Sequence, residues 1–316
     1  MTAASRILSK EEIEALTRAS DLRGALAVTF DWAVIAAALA LAGGFPSALT
    51  IALAVVVIGG RQLGLAVLMH EAAHRSLFRT RGLNRLVGHW LCGAPIWTDL
   101  DRYRRHHLHH HIHTGTERDP DMVLVDPFPT TPRSLARKLA RDLLGLTGLK
   151  RIVGLLAMDF DFIGYSASGH RVDAPELSIG RRLRHGLARV APVALTNLLL
   201  LGACVALGAG WVYLLWVGAW LTTFSLFVRV RSIAEHACTE RTDDMFRNTR
   251  SVEASWLARA FVAPHGVALH LEHHLVPTVP YFRLRELRAL LRERGLLDGA
   301  PTATRYRDVL RAASSG

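Results

Sequence analysis

The chain has 316 residues, of which 50% are hydrophobic and 21% are charged, and its mean hydropathy is +0.22. This composition is too apolar for an ordinary soluble enzyme and too charged for a chain that lies wholly within a membrane. The formal net charge of +11 fits nucleic acid, anionic lipid or an acidic protein as a partner. No nucleic-acid-binding motif and no interleaving of basic and aromatic residues is present, so we expect no nucleic-acid partner.

The N-terminal segment is polar and charged, so we expect no secretory signal sequence. Ser9 followed by Glu12 matches a capping box and predicts that a short amphipathic helix begins here. The three cysteines of the chain form neither a CxxC motif nor an even-numbered framework. We therefore expect reduced thiols, on the cytosolic side or within the membrane, at Cys92, Cys204 and Cys238.

Four apolar segments, residues 25–42, 49–69, 188–206 and 211–230, are each long enough to cross about 30 Å of hydrocarbon as a helix. The first two are joined by GGFPS and the last two by LGAG, and both connections are so short that they predict hairpins. Neither turn contains Lys or Arg, so the positive-inside rule places both termini in the cytosol. We therefore predict an all-α integral membrane protein with four transmembrane helices arranged as two hairpins. Residues 70–187 and 231–316 would form a cytosolic helical cap that carries the histidine clusters.

Two shorter apolar stretches, residues 83–97 and 143–158, contain Arg, Lys, His or Gly. They are typical of interfacial or re-entrant helices at the cytosolic membrane surface. Ordinary core helices of the cap are the alternative.

Asp31 and Arg61 fall at similar depths within the first two predicted spans. Isolated charges are costly in a membrane, so we expect the two side chains to pair. Such a pair would stabilise the hairpin; in the alternative interpretation, Arg61 orients a carboxylate near a metal.

Of the 16 histidines of the chain, 12 fall in four groups, all just past a predicted span or in the predicted cap. These groups are His70 and His74 (HEAAH), the run from His106 to His113, His236, and finally His270, His273 and His274 (HLEHH). Residues three or four apart share one face of a helix, so each group can present several imidazoles together. Imidazole binds Fe, Zn, Cu and Ni, and the four groups together predict a metal site on one side of the membrane.

The histidine-rich run RYRRHHLHHHIHTG has two possible registers. His106 with His109 and His110 fits the pattern HxxHH, and so does His107 with His110 and His111. Helical geometry alone does not choose between them.

In order along the chain, HEAAH, YRRHHLHHHIHTGTERDPD, RSIAEH and HLEHHLVPTVPYFRL resemble the membrane fatty acid desaturase superfamily, over about residues 60–290. The family pattern carries a Thr three residues after the second HH, followed by DPD, and Thr114 and the segment 119–121 stand in those places. The resemblance thus implies the register that begins at His107, with His106, His109 and His113 outside the set of ligands. It also implies that His236, just after the fourth span, completes the metal shell.

The resemblance implies two iron ions, O2 as co-substrate, and electrons from a separate ferredoxin-, rubredoxin- or cytochrome b5-like protein. No HPGG-like motif indicates a fused cytochrome b5 domain. The implied metal ligands are nine histidines: His70, His74, His107, His110, His111, His236, His270, His273 and His274. How they divide between two metals does not follow from the sequence.

Carboxylates lie next to three of the histidine groups, at Glu71, Glu235 and Glu272. We interpret them as acceptors that fix ring tautomers, with Asp119 and Asp121 as similar candidates. Two positions depart from the family pattern: Ala268 and Ser232 stand where relatives carry Asn. These departures weaken any inference from the family to the substrate or the reaction outcome of this chain.

The resemblance implies a long-chain acyl lipid as substrate. Trp90, Trp97 and Tyr165 are candidates to line an apolar tunnel, with interfacial anchoring as the alternative. Arg102, Arg104, Arg105 and the run at 181–184 could hold an anionic head group or an acidic donor, although the positive-inside bias also explains such charges.

We expect a single desaturase-like domain over residues 1–316 in a bacterial inner membrane, surrounded by membrane lipids. Desaturation is favoured, with diiron hydroxylation or ketolation of a lipid or hydrocarbon as the alternative. HEAAH also matches the HExxH motif of zinc metalloproteases, but that interpretation leaves seven of the nine histidines unexplained. A metal transporter would place histidines inside the spans, where the sequence has none.

Overall fold

The computed structural model describes residues 7–316, and this part of the chain is almost entirely helical. Its α-helices, numbered in chain order, are α1 (Lys10–Leu16), α2 (Asp21–Gly44), α3 (Ala48–His74), α4 (Arg81–Val87), α5 (Leu100–His113), α6 (Met122–Val125), α7 (Pro132–Leu143), α8 (Leu146–Asp159), α9 (Ile179–Ala206), α10 (Tyr213–Leu221), α11 (Thr223–His236), α12 (Trp256–Phe261), α13 (His270–Leu275), α14 (Leu284–Glu293) and α15 (Tyr306–Ala313). The strands β1 (Ser251–Val252) and β2 (Thr302–Ala303) pair in parallel.

Shorter helical turns connect several of these elements. A π-helical segment occupies Gly88–Gly93, and 3₁₀ turns occupy Ala94–Ile96, Gly210–Val212, Pro264–Gly266 and Tyr281–Arg283. The capping box predicted at Ser9 is confirmed: its hydroxyl accepts a hydrogen bond from Glu12 N (3.2 Å), and Glu12 Oε2 accepts one from Ser9 N (2.8 Å).

Within residues 7–316, four helical segments are long and apolar enough to cross a membrane: Lys10–Gly44, Ala48–His74, Ile179–Ala206 and Gly210–His236. Each contains one of the predicted spans. Helices α2 and α3 pack against each other, whereas α9 buries only Gly186 and Cys204 and leaves its other residues exposed or partly exposed. Two of the segments continue past the predicted spans and carry His70, His74 and His236 directly into the site.

The fourth span is not the single helix that the sequence predicted. It breaks at Thr222 (φ −110°, ψ −86°), between α10 and α11. The Thr222 hydroxyl donates to the Gly218 carbonyl (2.6 Å), and the Thr223 hydroxyl donates to the Val55 carbonyl on α3 (2.7 Å). Hydroxyl side chains that bond to backbone carbonyls compete with the regular ladder and bend helices.

The two shorter apolar stretches have different structures. Residues 83–97 are not one helix: they run from α4 through the π-helical segment into a 3₁₀ turn that packs on α3. Residues 143–158 lie mainly in α8, where Leu149 and Val153 are 53% and 69% exposed. Exposed apolar side chains favour the interpretation of α8 as a membrane-surface helix.

The predicted pairing of the two charges inside the first spans is confirmed. Arg61 Nη1 lies 2.8 Å from Asp31 Oδ1, and Asp31 is 0% exposed. His265 Nε2 lies 2.8 Å from the other oxygen of Asp31, and Arg61 also donates to the Ala260 carbonyl. The pair therefore joins the first two membrane helices to the loop that precedes α13, which supports a structural role.

Candidate metal centre

Two of the helices that carry histidines present them because of their sequence spacing. On α3 the rings of His70 and His74, four residues apart, have centroids 4.9 Å apart. On α13 the rings of His270 and His274 have the same spacing and lie 4.6 Å apart. Helix α11 ends at His236, and its C-terminal carbonyls accept hydrogen bonds from Arg250.

The burial pattern of helix α5 favours one of the two registers of the histidine-rich run. It buries His107, His110 and His111 and leaves His109 exposed. His106 turns to Asp121, with 2.7 Å between Nε2 and Oδ1. The geometry thus supports the register that the family pattern implied.

The nine predicted histidines converge into two adjacent clusters. In the first, a ring nitrogen from each of five residues lies within 4.8 Å of the others: His70, His74, His107, His111 and His273. The second consists of two groups that share His236, each with its ligand atoms within 4.8 Å of one another. One group is His110, His236 and His274, and the other is Glu235, His236 and His270. We refer to the first and second clusters as cluster A and cluster B.

The facing nitrogens have the separations expected of ligands to a shared ion. Nε2 of His111 lies 2.9 Å from Nε2 of His107 and 3.1 Å from Nε2 of His273. In cluster B, Nε2 of His270 lies 3.0 Å from Nε2 of His236 and 3.2 Å from that of His274. Two nitrogens bound to one metal at about 2.1 Å and at right angles would lie about 3.0 Å apart.

Unpartnered nitrogens and neutral rings also fit a metal. Both ring nitrogens of His70 and Nε2 of His74 are buried without a hydrogen-bond partner in the described chain, an arrangement that costs free energy unless something binds there. Burial, and then repulsion between neighbouring rings, hold the pKa well below its usual value for five imidazoles outside the spans: His107, His111, His270, His273 and His274. They are therefore neutral, as a metal ligand requires.

Asp119 fixes the orientation of one cluster B ring. Its Oδ1 lies 2.7 Å from Nδ1 of His110, and both its oxygens accept backbone hydrogen bonds, from Asp121 N (2.9 Å) and Gly115 N (3.2 Å). Burial alone would lower the pKa of His110, but the hydrogen bond to Asp119 raises it above the usual value. The carboxylate thus holds a proton on Nδ1 and leaves Nε2 for a metal.

The three carboxylates singled out in the sequence have different surroundings. Glu235 receives a hydrogen bond from Arg231 (2.6 Å), and its second oxygen lies 3.5 Å from His270 Nε2, so it is a possible ligand as well as an acceptor. Glu71 accepts from Ser76 Oγ (3.0 Å) and Tyr281 N (2.9 Å) and lies 3.6 Å from His70 Nδ1.

Glu272 contacts no imidazole. It accepts hydrogen bonds from Ser251 (2.5 Å) and Arg288 (2.8 Å), and Ser251 Oγ in turn accepts from Leu271 N. Its position supports a role in anchoring α13 rather than in fixing a ring tautomer.

The sequence did not point to Asn248, which holds the loop beneath cluster B. Its side-chain amide donates to the carbonyls of Thr114 and Thr242 (both 2.9 Å). Its backbone carbonyl oxygen lies 3.5 Å from His236 Nδ1. Asn248 follows α11 by twelve residues in an irregular segment, where no periodic pattern marks it. Only the fold brings it beneath two histidine groups.

The aromatic and basic candidates are mostly engaged in structural contacts. Trp97 Nε1 donates to Asp159 (3.0 Å), which also binds Arg102 (2.6 Å), and Arg102 stacks 4.4 Å from the Tyr165 ring centroid. Arg104 donates to the Ala73 carbonyl. Arg102 and Arg104 are thus occupied within the fold and not offered to a ligand; Trp90 is half-buried, with its ring 5.3 Å from that of His89.

Within residues 7–316, four membrane-length helices accompany buried histidine groups that could hold metal ions, and this combination indicates an integral membrane protein. The family model described as fatty acid desaturase matches residues 45–306. The chain therefore belongs to the fatty acid desaturase family, and it is an oxidoreductase.

Several curated proteins resemble this chain at low identity. Dihydrorhizobitoxine desaturase of Bradyrhizobium elkanii is 28% identical over 89% of this chain and 78% of its own length. Acyl-lipid (9+3)-(E)-desaturase of Dimorphotheca sinuata is 24% identical over 71% of this chain and 61% of its own length. Beta-carotene 4-ketolase 3 of Haematococcus lacustris is 37% identical over 28% of each chain.

Proposed function

We propose that the chain is an O2-dependent diiron oxidoreductase that desaturates a long-chain fatty acyl lipid, with electrons from a separate donor protein. The observation that carries this proposal is the convergence of nine histidines into clusters A and B. Five imidazoles in one cluster, and four imidazoles with a carboxylate in the other, suit two transition-metal ions. When bound, two irons would supply the O2 activation needed to break an unactivated C–H bond.

The chemistry balances as removal of two hydrogens from adjacent carbons. O2 accepts these two hydrogens with two electrons and two protons from outside, and two waters form. The role of the protein is to hold the imidazole rings in one orientation and to exclude water from the site. Burial of the cluster A histidines and the Asp119–His110 contact support this role.

We infer two membrane hairpins, with the histidines and both termini on the cytosolic side of a bacterial inner membrane and all of residues 1–316 in one domain. The absence of Lys and Arg from the two short connections supports this orientation. The donor would be a ferredoxin-, rubredoxin- or cytochrome b5-like protein.

The test is the metal content of the detergent-purified chain. The wild type should hold about two irons, His107→Ala and His236→Ala should each lose metal, and His106→Ala should keep it, because His106 faces Asp121 outside both clusters. One zinc per chain, unaffected by His107→Ala and His236→Ala, would instead favour a zinc protease at HEAAH.

Hydroxylation or ketolation of a lipid is the second candidate, because ketolase-named proteins are among the similar chains. The three outcomes differ in the product. Desaturation lowers the mass of the product by two hydrogens, hydroxylation adds one oxygen, and ketolation adds one oxygen and removes two hydrogens. Mass spectrometry of lipids from cells that express the chain, with the His107→Ala variant as control, separates them.

A further inference from the structure

A groove opens on the surface next to cluster B, and its lining contains none of the histidines described above. Its volume is about 980 Å³, and it lies between β1, α12, α14 and the start of α15. Six arginines line it, with Glu253 as the one acidic residue: Arg259, Arg285, Arg288, Arg292, Arg305 and Arg307.

Three of these arginines have no counter-ion in the described chain. Arg288 is bound to Glu272, Arg292 lies 3.3 Å from Glu253, and Arg307 lies 3.7 Å from Asp308. Arg259, Arg285 and Arg305 are exposed, and no acidic group of residues 7–316 lies within ion-pair distance of them. A concave surface lined by charges of one sign concentrates a ligand of the opposite sign.

The floor of the groove is apolar, and its lining includes the residue that precedes cluster B in the sequence. Val252, Ala263 and Ala268 are buried residues of its lining, and Leu269 directly precedes His270 of cluster B. On the outer side, α12 lines the groove with Ala258 and Arg259 while exposing Trp256 and Leu257, which are 71% and 50% exposed. Exposed apolar residues beside arginines are typical of a helix at a lipid surface.

These features select a small amphiphile over a protein. The volume of the groove lies within the range of about 300–1,000 Å³ typical of small-molecule sites. Guanidinium groups pair bidentately with phosphate oxygens, and the apolar floor accepts hydrocarbon.

We propose that this groove binds the phosphate-bearing head group of an acyl lipid. The lipid would be the substrate, so the assignment deepens the proposed function and rests on it. The head group would contact Arg259, Arg285 and Arg305, and the acyl chain would leave the groove past Leu269 toward cluster B. This site is separate from the basic residues near α5 and α9 that the sequence suggested.

The test measures binding of a short-chain phosphatidic acid with a fluorescent acyl terminus to the full-length protein in detergent micelles. The groove variant combines Arg259→Gln, Arg285→Gln and Arg305→Gln. The matched control combines Arg133→Gln, Arg137→Gln and Arg141→Gln on α7, three exposed arginines with the same loss of charge. A third variant, Ala289→Trp, fills the groove from an exposed position of α14 without a change of charge.

The expected result is at least about a tenfold weaker affinity in the groove variant and in Ala289→Trp, because charge-assisted phosphate contacts and groove volume are lost. The α7 control should keep the wild-type affinity, and a labelled phosphatidylcholine should bind more weakly than phosphatidic acid. Equal losses in the groove variant and the α7 control would overturn the proposal, as would no loss in the groove variant.

Two further arms separate other ligands. If inorganic phosphate displaces the lipid at equal concentration, the site takes a free anion, and the lipid assignment falls. If the groove variant loses affinity for an acidic ferredoxin while its lipid binding is unchanged, the groove belongs to the electron donor.

The metal content of each variant is measured in parallel. Wild-type protein that holds no metal would refute the proposed function without changing the binding result. A variant with full metal content and unchanged lipid binding would refute only the groove assignment.

Discussion

Replacement of Asp119 by Asn tests the assignment of cluster B most directly. The amide has the size of the carboxylate but lacks its charge and has one oxygen. If the oxygen faces His110 Nδ1, the amide nitrogen confronts the Gly115 N–H, where the carboxylate now accepts at 3.2 Å. If the amide is flipped, it donates to Nδ1 and drives the proton onto Nε2, the nitrogen that a metal would use.

Both orientations weaken metal binding at cluster B. Loss of a carboxylate that supports a ligand histidine typically lowers metal affinity by about 10- to 100-fold, or about 1.4–2.8 kcal/mol. Cluster A should be unaffected, because none of its five histidines lies within hydrogen-bond distance of Asp119. The variant should therefore lose one iron of two at a chelator concentration that the wild type withstands.

The assay is iron per chain after titration with a chelator, with Asp121→Asn as the control. Asp121 is hydrogen-bonded to His106. Burial would raise the pKa of Asp121, but that hydrogen bond and the nearby His110 outweigh burial and lower the pKa to about 2. Because Asp121 lies 3.7 Å from His110 Nδ1, its replacement should change affinity by less than about threefold. Equal retention of both irons in Asp119→Asn and the wild type would refute the reasoning.

Three other changes have defined outcomes. Arg61→Met leaves the buried Asp31 without its cationic partner on the same hairpin, so the free energy of unfolding should fall by about 3–5 kcal/mol. The double variant with Asp31→Asn should recover much of the lost Tm in detergent. A double variant as unstable as Arg61→Met alone would contradict this. Gly59→Ala should destabilise the fold by about 1–3 kcal/mol, because the added Cβ would lie within 3 Å of backbone and side-chain atoms of α11. The added Cβ of Gly202→Ala meets open space, so this variant should stabilise the fold by about 0.5–1 kcal/mol. Equal Tm values for the two variants would argue against that packing. Glu71→Gln should keep both metals and lose only part of the activity, measured as iron content and lipid product, while complete loss of activity with one bound zinc would favour a protease.

Much of the membrane part of the fold could be predicted from the sequence. Hydrocarbon thickness sets the length of a spanning helix, so apolar runs alone located all four membrane-length segments. The cost of a lone charge in lipid likewise predicted the Asp31–Arg61 pair. The break at Thr222 was missed, and beside it the Thr223 hydroxyl bonds to the Val55 carbonyl on a neighbouring helix, a contact that no local pattern marks.

The candidate site was predictable in its members but not in its division. Every histidine that the family pattern implied lies in one of the two clusters. Asn248, which supports the loop below cluster B, and the contact of Glu272 with Arg288 escaped prediction. Both depend on segments that are distant in sequence.

From the sequence alone, helical periodicity fixes which histidines share a helix face. Residues four apart share a face, and in the structure His107 and His111 lie in cluster A, while His270 and His274 lie in cluster B. Successive residues point about 100° apart, which is why His110 and His111 separate into different clusters. Which histidines from different helices meet depends on the packing of α3, α5, α11 and α13, because periodicity describes one helix at a time.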